Sequence, residues 1–446
     1  LYKDYVQDIR KAVNYFQSTI PEIKGKKICL LTKNSYEYAV NTFGVVAAGA
    51  VLVLLNQRKS WDELRYELGL VEPDAILTDG DDYGFNDQLK AAYGDILRPM
   101  DGFRSYEPAQ LTRCIDHEAL MILMFTSGTT GRSKGVMLSQ KNLFSAMPAF
   151  LDPFDDVKKY TGWNTDEFSS LSALPMFHIS AMTSLVSWSI TGHSINLCNN
   201  LKYFYRDLGA MHSEVMAVVP VLLKSIYSDV MRDRRDRLNG LCVLTCGAAM
   251  FDPKILSDMM EKGFFVAQMY GLTETCGDGA WNSSQEAKYL TSVGHVDLSC
   301  EYKLDDGELC MRGDPIMLGY YKDPEGTAEV IDAEGWFHTG DIARVEEDGY
   351  MYLTGRKKNV IILDSGENVS PEELEKLLAP CADIQECIVK EQDKKICALI
   401  YCDPAKQDAV KEFVTGVNRS LPLYKRMVPE LSAQPLPRNA MGKLLR

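Results

Sequence analysis

Thr126-Ser127-Gly128-Thr129-Thr130-Gly131-Arg132-Ser133-Lys134-Gly135 follows the apolar run Leu120-Met121-Ile122-Leu123-Met124-Phe125. The run reads as a buried strand. The ten residues after it combine three glycines with hydroxyls and two cations. Glycine lets a backbone turn sharply and bring its N–H groups close to an anion. Serine and threonine hydroxyls add donors, and Lys134 and Arg132 neutralise phosphate charge. A strand that runs into such a loop has the geometry of a phosphate cradle. The spacing is not that of a Walker loop, in which the lysine follows a glycine and opens a helix. Here Ser133 precedes Lys134 and Gly135 follows it, so Lys134 is expected within the loop.

Outward from this stretch, from Lys27 to about Met269, short apolar runs alternate with helical patterns. Ile28-Cys29-Leu30-Leu31, Val51-Leu52-Val53-Leu54, Ala75-Ile76-Leu77, Val215 to Val219, Cys242-Val243-Leu244 and Phe264-Phe265-Val266 are the strand candidates. Apolar runs joined by helical crossovers predict parallel sheets covered on both faces. Ligands in such folds bind beyond the carboxyl ends of the strands. Both Thr126 to Lys134 and Tyr270 to Glu274 directly follow strands, so both can reach one cleft. After Val293, glycine-rich turns separate short strands and predict a small β-rich subdomain over about 293–355. From residue 356 to 446 the pattern becomes a mixed α+β module of roughly 90 residues, enough for a core of its own. The expected fold class is therefore α/β. It comprises a large N-terminal domain (1–355) of mostly parallel sheets covered by helices and a small C-terminal α+β domain (356–446).

At 446 residues the chain exceeds a single core, and its 46% apolar and 25% charged content is ordinary for a globular protein. A net charge of −14 argues against nucleic acid as a partner. The longest basic cluster, Arg232 to Arg237, alternates with acids and reads as a solvated helix end. Twelve cysteines and six histidines are scattered, with no Cys-x-x-Cys pair and no His/Cys group at zinc spacing. Scattered thiols fit a reducing, cytoplasmic setting. No signal peptide or apolar run of membrane-spanning length is found.

Seven further blocks follow the loop in order: Leu174-Pro175-Met176-Phe177-His178, Gly247-Ala248-Ala249, Tyr270-Gly271-Leu272-Thr273-Glu274-Thr275, Gly335-Trp336-Phe337-His338-Thr339-Gly340-Asp341, Gly355-Arg356-Lys357-Lys358, Gly366-Glu367-Asn368 with Pro371-Glu372-Glu373, and Pro437-Arg438-Asn439-Ala440-Met441-Gly442-Lys443. Together the eight resemble the motifs of the adenylate-forming enzymes, the superfamily of acyl-CoA synthetases, peptide-synthetase adenylation domains and luciferases. The resemblance spans almost the whole chain and implies a further segment before the position of Leu1. It implies a two-step ligase reaction with ATP, Mg2+ and coenzyme A. A carboxylate attacks the α-phosphorus of ATP to give an acyl-adenylate and pyrophosphate, and a thiol then displaces AMP.

The resemblance also assigns roles. Thr126, Ser127, Gly128, Thr129, Thr130, Gly131 and Lys134 would cradle phosphates. Gly247, Ala248, Ala249, Tyr270 and Gly271 would bound the adenine. Thr273 would donate to the α-phosphate and Glu274 would hold Mg2+. Asp341 would accept the ribose hydroxyls with Arg356 beside it, and His178 would line the acyl pocket. Lys443 would be the main catalytic cation, approaching the carboxylate and α-phosphate. The C-terminal domain would act as a mobile lid with its hinge near Lys358, and Gly366 would line the passage for the pantetheine arm.

The acid is less sharply defined. Amino-acid-activating relatives carry an aspartate near the His178 block, and Phe177 to Met182 has none. The segments His178 to Trp188 and Cys276 to Trp281 are mainly apolar or small, which suits a fatty or aryl acid. Arg356 to Asn359 and Gly366 to Glu373 are most similar to fatty acyl-CoA synthetases, and so point to fatty acid metabolism. Phe177 to Ser180 and Tyr270 to Cys276 are also similar to o-succinylbenzoate-CoA ligases. A general acyl-CoA ligase is the leading expectation. The alternatives are an o-succinylbenzoate-CoA ligase, an acyl-AMP ligase that loads an acyl carrier protein, and a non-catalytic nucleotide-binding relative.

Overall fold

The computed structural model describes residues 2–111, 116–126, 133–148, 153–161, 167–247, 251–296, 299–359, 361–362, 368–392, 395–421, 425–438 and 444–445. They fall into two compact units. Leu1–Tyr302, Met311–Phe337 and Glu347–Met351 form the first, and Lys303–Cys310, His338–Glu346 and Tyr352–Arg446 the second.

The first unit is built on two seven-stranded sheets of matching design. In one, β1 (Lys27–Leu30), β2 (Val51–Leu54), β3 (Ala75–Thr78), β4 (Leu97–Pro99) and β5 (Leu120–Thr126) run parallel, and β6 (Lys134–Ser139) returns antiparallel to β5. In the other, β7 (Ser169–Ser172), β8 (Ser194–Leu197), β9 (Val215–Val218), β10 (Val243–Cys246) and β11 (Phe265–Gly271) are parallel. There β12 (Gly279–Asn282) reverses against β11, and β13 (His295–Val296) pairs with β12. The distant strand β16 (Gly319–Tyr320) completes the first sheet by pairing with β6.

The strands are where the apolar runs predict them. β2 is buried at all four positions, because helices cover both faces of a parallel sheet. Each fully buried leucine or valine there contributes about 1.5–3 kcal/mol relative to exposure. Crossover helices start at sequence-encoded caps: Ser35 accepts from the Tyr38 N–H, and Ser60 and Glu63 form a reciprocal capping box.

The second unit holds most of a four-stranded sheet, ordered β14 (Cys300–Asp305), β15 (Glu308–Gly313), β17 (Phe337–Val345) and β18 (Met351–Arg356). Further along are the short pair β19 (Ile361–Ile362) and β20 (Asn368–Val369), then a three-stranded sheet of β21 (Ile384–Gln392), β22 (Lys395–Cys402) and β23 (Val428–Ser432). Helices Pro371–Leu378 and Gln407–Ser420 bury Leu374, Leu378, Val410 and Val414 in one core with Val389 and Ile400. Among the described residues no helix is long and apolar enough to cross a membrane.

Candidate active site

In each sheet of the first unit, the last parallel strand has seven residues, and the chain then turns through seven more before reversing. Thr126 pairs with Lys134 across residues 127–133, and Gly271 pairs with Gly279 across residues 272–278. The two motif-bearing loops thus occupy equivalent positions at the carboxyl ends of their sheets. Lys134 is not within its loop, as its spacing suggested. It is the first residue of β6, since Thr126 and Lys134 close the ladder. A lysine on a strand is held by the ladder, so its position is better fixed than in a turn. Ser127, Gly128, Thr129, Thr130, Gly131 and Arg132 lie outside the described residues, as do Ala248, Ala249, Gly366 and Lys443.

The second loop is described throughout. Gly271 is required there, because a Cβ would stand 2.1 Å from the Gly277 carbonyl oxygen. The hydroxyl of buried Thr275 accepts from the Leu272 N–H at 3.1 Å and donates to the Asp278 carbonyl, closing the turn on itself. Thr273 and Glu274, on this short 3-10 turn, remain partly exposed. Tyr270, expected to offer its face to adenine, is 9% exposed. Gly247 has no steric need to be glycine: the nearest atom to an added Cβ would be the Met269 carbonyl oxygen at 3.7 Å.

Tyr320, which the sequence did not single out, links Lys134 at the start of β6 to Glu274 beyond β11. Its hydroxyl donates to Glu274 Oε1 at 2.9 Å, and Lys134 Nζ lies 4.6 Å from its ring centroid. Desolvation and the Glu274 charge push the phenol well above its ordinary pKa, so it remains a donor. Asp323 holds the other side of Lys134, Oδ2 to Nζ at 3.4 Å. Gly326 leaves room for this pair, since a Cβ there would fall 2.2 Å from Asp323 Oδ2 and 2.6 Å from Lys134 Nζ. Lysine, tyrosine and glutamate therefore form one connected group at the ends of β5 and β11. Glu274 supplies a hard, half-buried carboxylate held in place by a hydrogen bond. That donor suits Mg2+, which binds through one or two carboxylates together with phosphate oxygens.

His178 caps the helix Ile179–Thr191 without a side-chain capping bond. Asn34 holds the approach to it: Nδ2 donates to the Leu174 carbonyl at 2.8 Å, and Oδ1 accepts from the Met176 N–H at 2.9 Å. Burial, with the charges of Arg58 and Lys59, brings the imidazole down to about 4. At neutral pH it is uncharged, so it can take part in hydrogen bonding but supplies no cation. Lys59 forms a buried ion pair with Glu67 and donates to Ser133 Oγ at 3.1 Å, directly before Lys134. Most apolar residues of the helix, including Met182, Leu185 and Trp188, are core residues. Their apolar character reflects packing and so says little about the acid.

In the second unit Asp341 on β17 is buried, and Arg356 Nε meets its Oδ1 at 2.6 Å. Arg356 Nη1 also donates to the Thr339 carbonyl at 3.2 Å. The pairing expected from the motifs is thus present. Lys358 sits in the short turn Lys357–Asn359 after β18.

A pair of α/β sheets whose reversals bring Lys134, Tyr320 and Glu274 together has the layout of a nucleotide-handling enzyme. The chain belongs to the AMP-binding enzyme family, whose model matches residues 2–321. It is similar to the 2-succinylbenzoate–CoA ligase of Bacillus cereus, 29% identical over 95% of this chain and 87% of the relative. The peroxisomal OPC-8:0-CoA ligase 1 of Arabidopsis thaliana is 25% identical over 98% of this chain and 86% of the relative. The o-succinylbenzoate CoA synthetase of Bacillus subtilis, solved with its acyl-adenylate intermediate, superposes with a TM-score of 0.82 at 24% identity, covering 100% of this chain and 91% of that one. The same synthetase has been solved with ATP and magnesium ion, TM-score 0.78. The adenylate-forming α/β fold and the class of AMP-forming acid–thiol ligase both hold for this chain.

Proposed function

We propose that the chain is an acyl- or aryl-CoA ligase that activates a carboxylic acid with ATP and Mg2+ and passes it to coenzyme A. The observation that carries this is the Lys134–Tyr320–Glu274 group at the paired loop ends, within a chain of that ligase class. In the first half-reaction a carboxylate oxygen bonds to the α-phosphorus and the bond to pyrophosphate breaks. Two anions must meet, so cations and donors are needed where charge develops. Lys134 faces the departing phosphates, Thr273 donates to the α-phosphate, and Lys443 is the main cation at the carboxylate and α-phosphate. Bound Mg2+ would neutralise phosphate charge, with Glu274 as its protein ligand. Asp341 accepts the ribose hydroxyls in an orientation that Arg356 fixes, while Tyr270 and Gly247 to Ala249 border the adenine. In the second half-reaction the thiolate attacks the acyl carbonyl and AMP leaves. Lys443 has no task there, Gly366 admits the pantetheine arm, and residues from 356 onward act as a lid hinged near Lys358.

The acid is not an amino acid, because the neutral His178 and the absence of an aspartate from Phe177 to Met182 leave no charged partner there for an ammonium group. Among the remaining acids the o-succinylbenzoate type is a specific second reading, favoured by the 29% identity to the Bacillus cereus ligase. Pyrophosphate exchange into ATP with fatty, aryl and succinylbenzoate-type acids, followed by addition of coenzyme A, tests the proposal. Exchange and then a thioester is expected. Exchange without a thioester would point to a carrier-protein acceptor, and no exchange with any acid would overturn the assignment.

A further inference from the structure

Asp305, Cys310 and His338 are 5 and 28 residues apart along the chain, and no zinc motif links them. The fold nevertheless brings one ligand atom of each within 4.8 Å of the others, all inside the second unit. Asp305 ends β14, Cys310 lies on β15, and His338 is on β17, three residues before Asp341. We infer that these three side chains form a binding site for a thiophilic divalent cation of the zinc class.

Three observations support the site. Cys310 Sγ and His338 Nδ1 are 3.4 Å apart. Two ligands of one tetrahedral zinc, at about 2.3 Å for sulfur and 2.0–2.1 Å for nitrogen, stand roughly 3.6 Å apart, so little movement is needed. The surroundings also balance the charge. Buried Glu308, whose Oε2 faces His338 Nδ1 at 3.1 Å, has its charge met by Lys357 Nζ at 2.7 Å and also accepts from the Gly340 N–H at 3.0 Å. The ligands themselves then bring a carboxylate, a thiolate and a neutral imidazole, which offset a dication. Finally, a sulfur, an imidazole nitrogen and a single carboxylate select zinc-like ions over Mg2+, which prefers oxygen donors. Asp305 is exposed while Cys310 is buried, so the ion has a solvent side and room for water as a fourth ligand. On binding, the Cys310 S–H proton is released to solvent and the His338 Nδ1 contact with Glu308, 3.1 Å long, is exchanged for the metal. The ion would tie the β14–β15 turn to the strand that carries Asp341.

Co2+ titration of the chelator-treated full chain tests this. The expected result is a saturable one-to-one thiolate-to-cobalt charge-transfer absorption, displaced by Zn2+ and not by excess Mg2+. It should be lost in Cys310→Ser and kept in Cys242→Ser. Asp305→Asn, at an exposed position where folding is not at risk, should weaken Co2+ at least tenfold. Absence of the band, its survival in Cys310→Ser, an unchanged Co2+ affinity in Asp305→Asn, or displacement by Mg2+ would overturn the site.

Discussion

Tyr320 gives its hydroxyl to Glu274 across 46 residues of chain, 2.9 Å from oxygen to oxygen, while its ring underlies the Lys134 ammonium. One side chain therefore sets the orientation of a carboxylate from one sheet and a cation from the other. Tyr320→Phe keeps the ring and removes only the hydrogen bond. A bond to a charged group is worth about 1.5–3 kcal/mol. A fall of roughly ten- to hundredfold in kcat/KM for pyrophosphate exchange is expected, with the Mg2+ requirement moved to higher concentration. Tyr320→Ala should cost more, since it also removes the cation–π contact. Equal losses in the two variants would mean that the ring contributes nothing.

Asp341 and Arg356 form the corresponding relationship in the second unit, 2.6 Å apart with the carboxylate buried. If Asp341 reads the ribose, Asp341→Asn should lower the preference for ATP over 2′-deoxy-ATP by about tenfold, as expected for losing a charged acceptor. Arg356→Lys keeps the charge but not the planar fork that serves both Asp341 and the Thr339 carbonyl. It should raise the KM for ATP with a smaller change in kcat. Unchanged discrimination in Asp341→Asn would remove the ribose role.

Lys443 carries a sharper consequence for the two half-reactions. Lys443→Ala should slow adenylation by about a hundredfold or more, the scale of removing one charge-stabilising group. Thioester formation from supplied acyl-adenylate should persist. Equal losses in both steps would mean that Lys443 serves both, and alternation of the C-terminal lid would be the wrong account.

The parallel strands were legible because burial on both faces writes continuous apolar runs, as at Val51 to Leu54. The motif blocks were legible because chemistry restricts residue type over short spans. What stayed hidden depends on pairing between distant segments. Tyr320 reaches Lys134 only because β16 adds to the edge of β6, placing Tyr320 opposite Val136. No local pattern reports that register. Lys134 itself was assigned to the loop because its glycine neighbour suggested one, whereas ladder closure with Thr126 makes it a strand residue. The acid pocket was unreadable for another reason: apolar residues such as Leu185 look alike whether they line a cavity or fill a core.

His178 ties the site to the pH dependence of stability. Its folded pKa, about 4, lies below the ordinary value of 6.5. Between these values the unfolded chain binds more protons than the folded one, so stability rises with pH across that window. The contribution is complete above about pH 6.5 and is lost as pH falls towards 4. Denaturant unfolding of the full chain at pH 7 and pH 5 should therefore differ by roughly 1–2 kcal/mol more than in His178→Gln. If the variant shows the same difference, the titrating group lies elsewhere.

The buried pair Lys59–Glu67 separates support of the phosphate loop from stability. Glu67 is fully buried, and desolvation raises its pKa against the pull of Lys59. Removing one partner strands the other: Glu67→Gln should destabilise by about 3–5 kcal/mol. Replacing both, as Lys59→Met with Glu67→Leu, should restore most of that, because two apolar side chains of similar volume need no counter-charge. The double variant nevertheless loses the Lys59 bond to Ser133 Oγ, the residue before Lys134. It should therefore fold close to wild type yet show a severalfold higher KM for ATP, with kcat changed less. Denaturant unfolding and pyrophosphate exchange on the same preparation check both halves. A stable double variant with an unaltered KM would show that Lys59 serves only the fold.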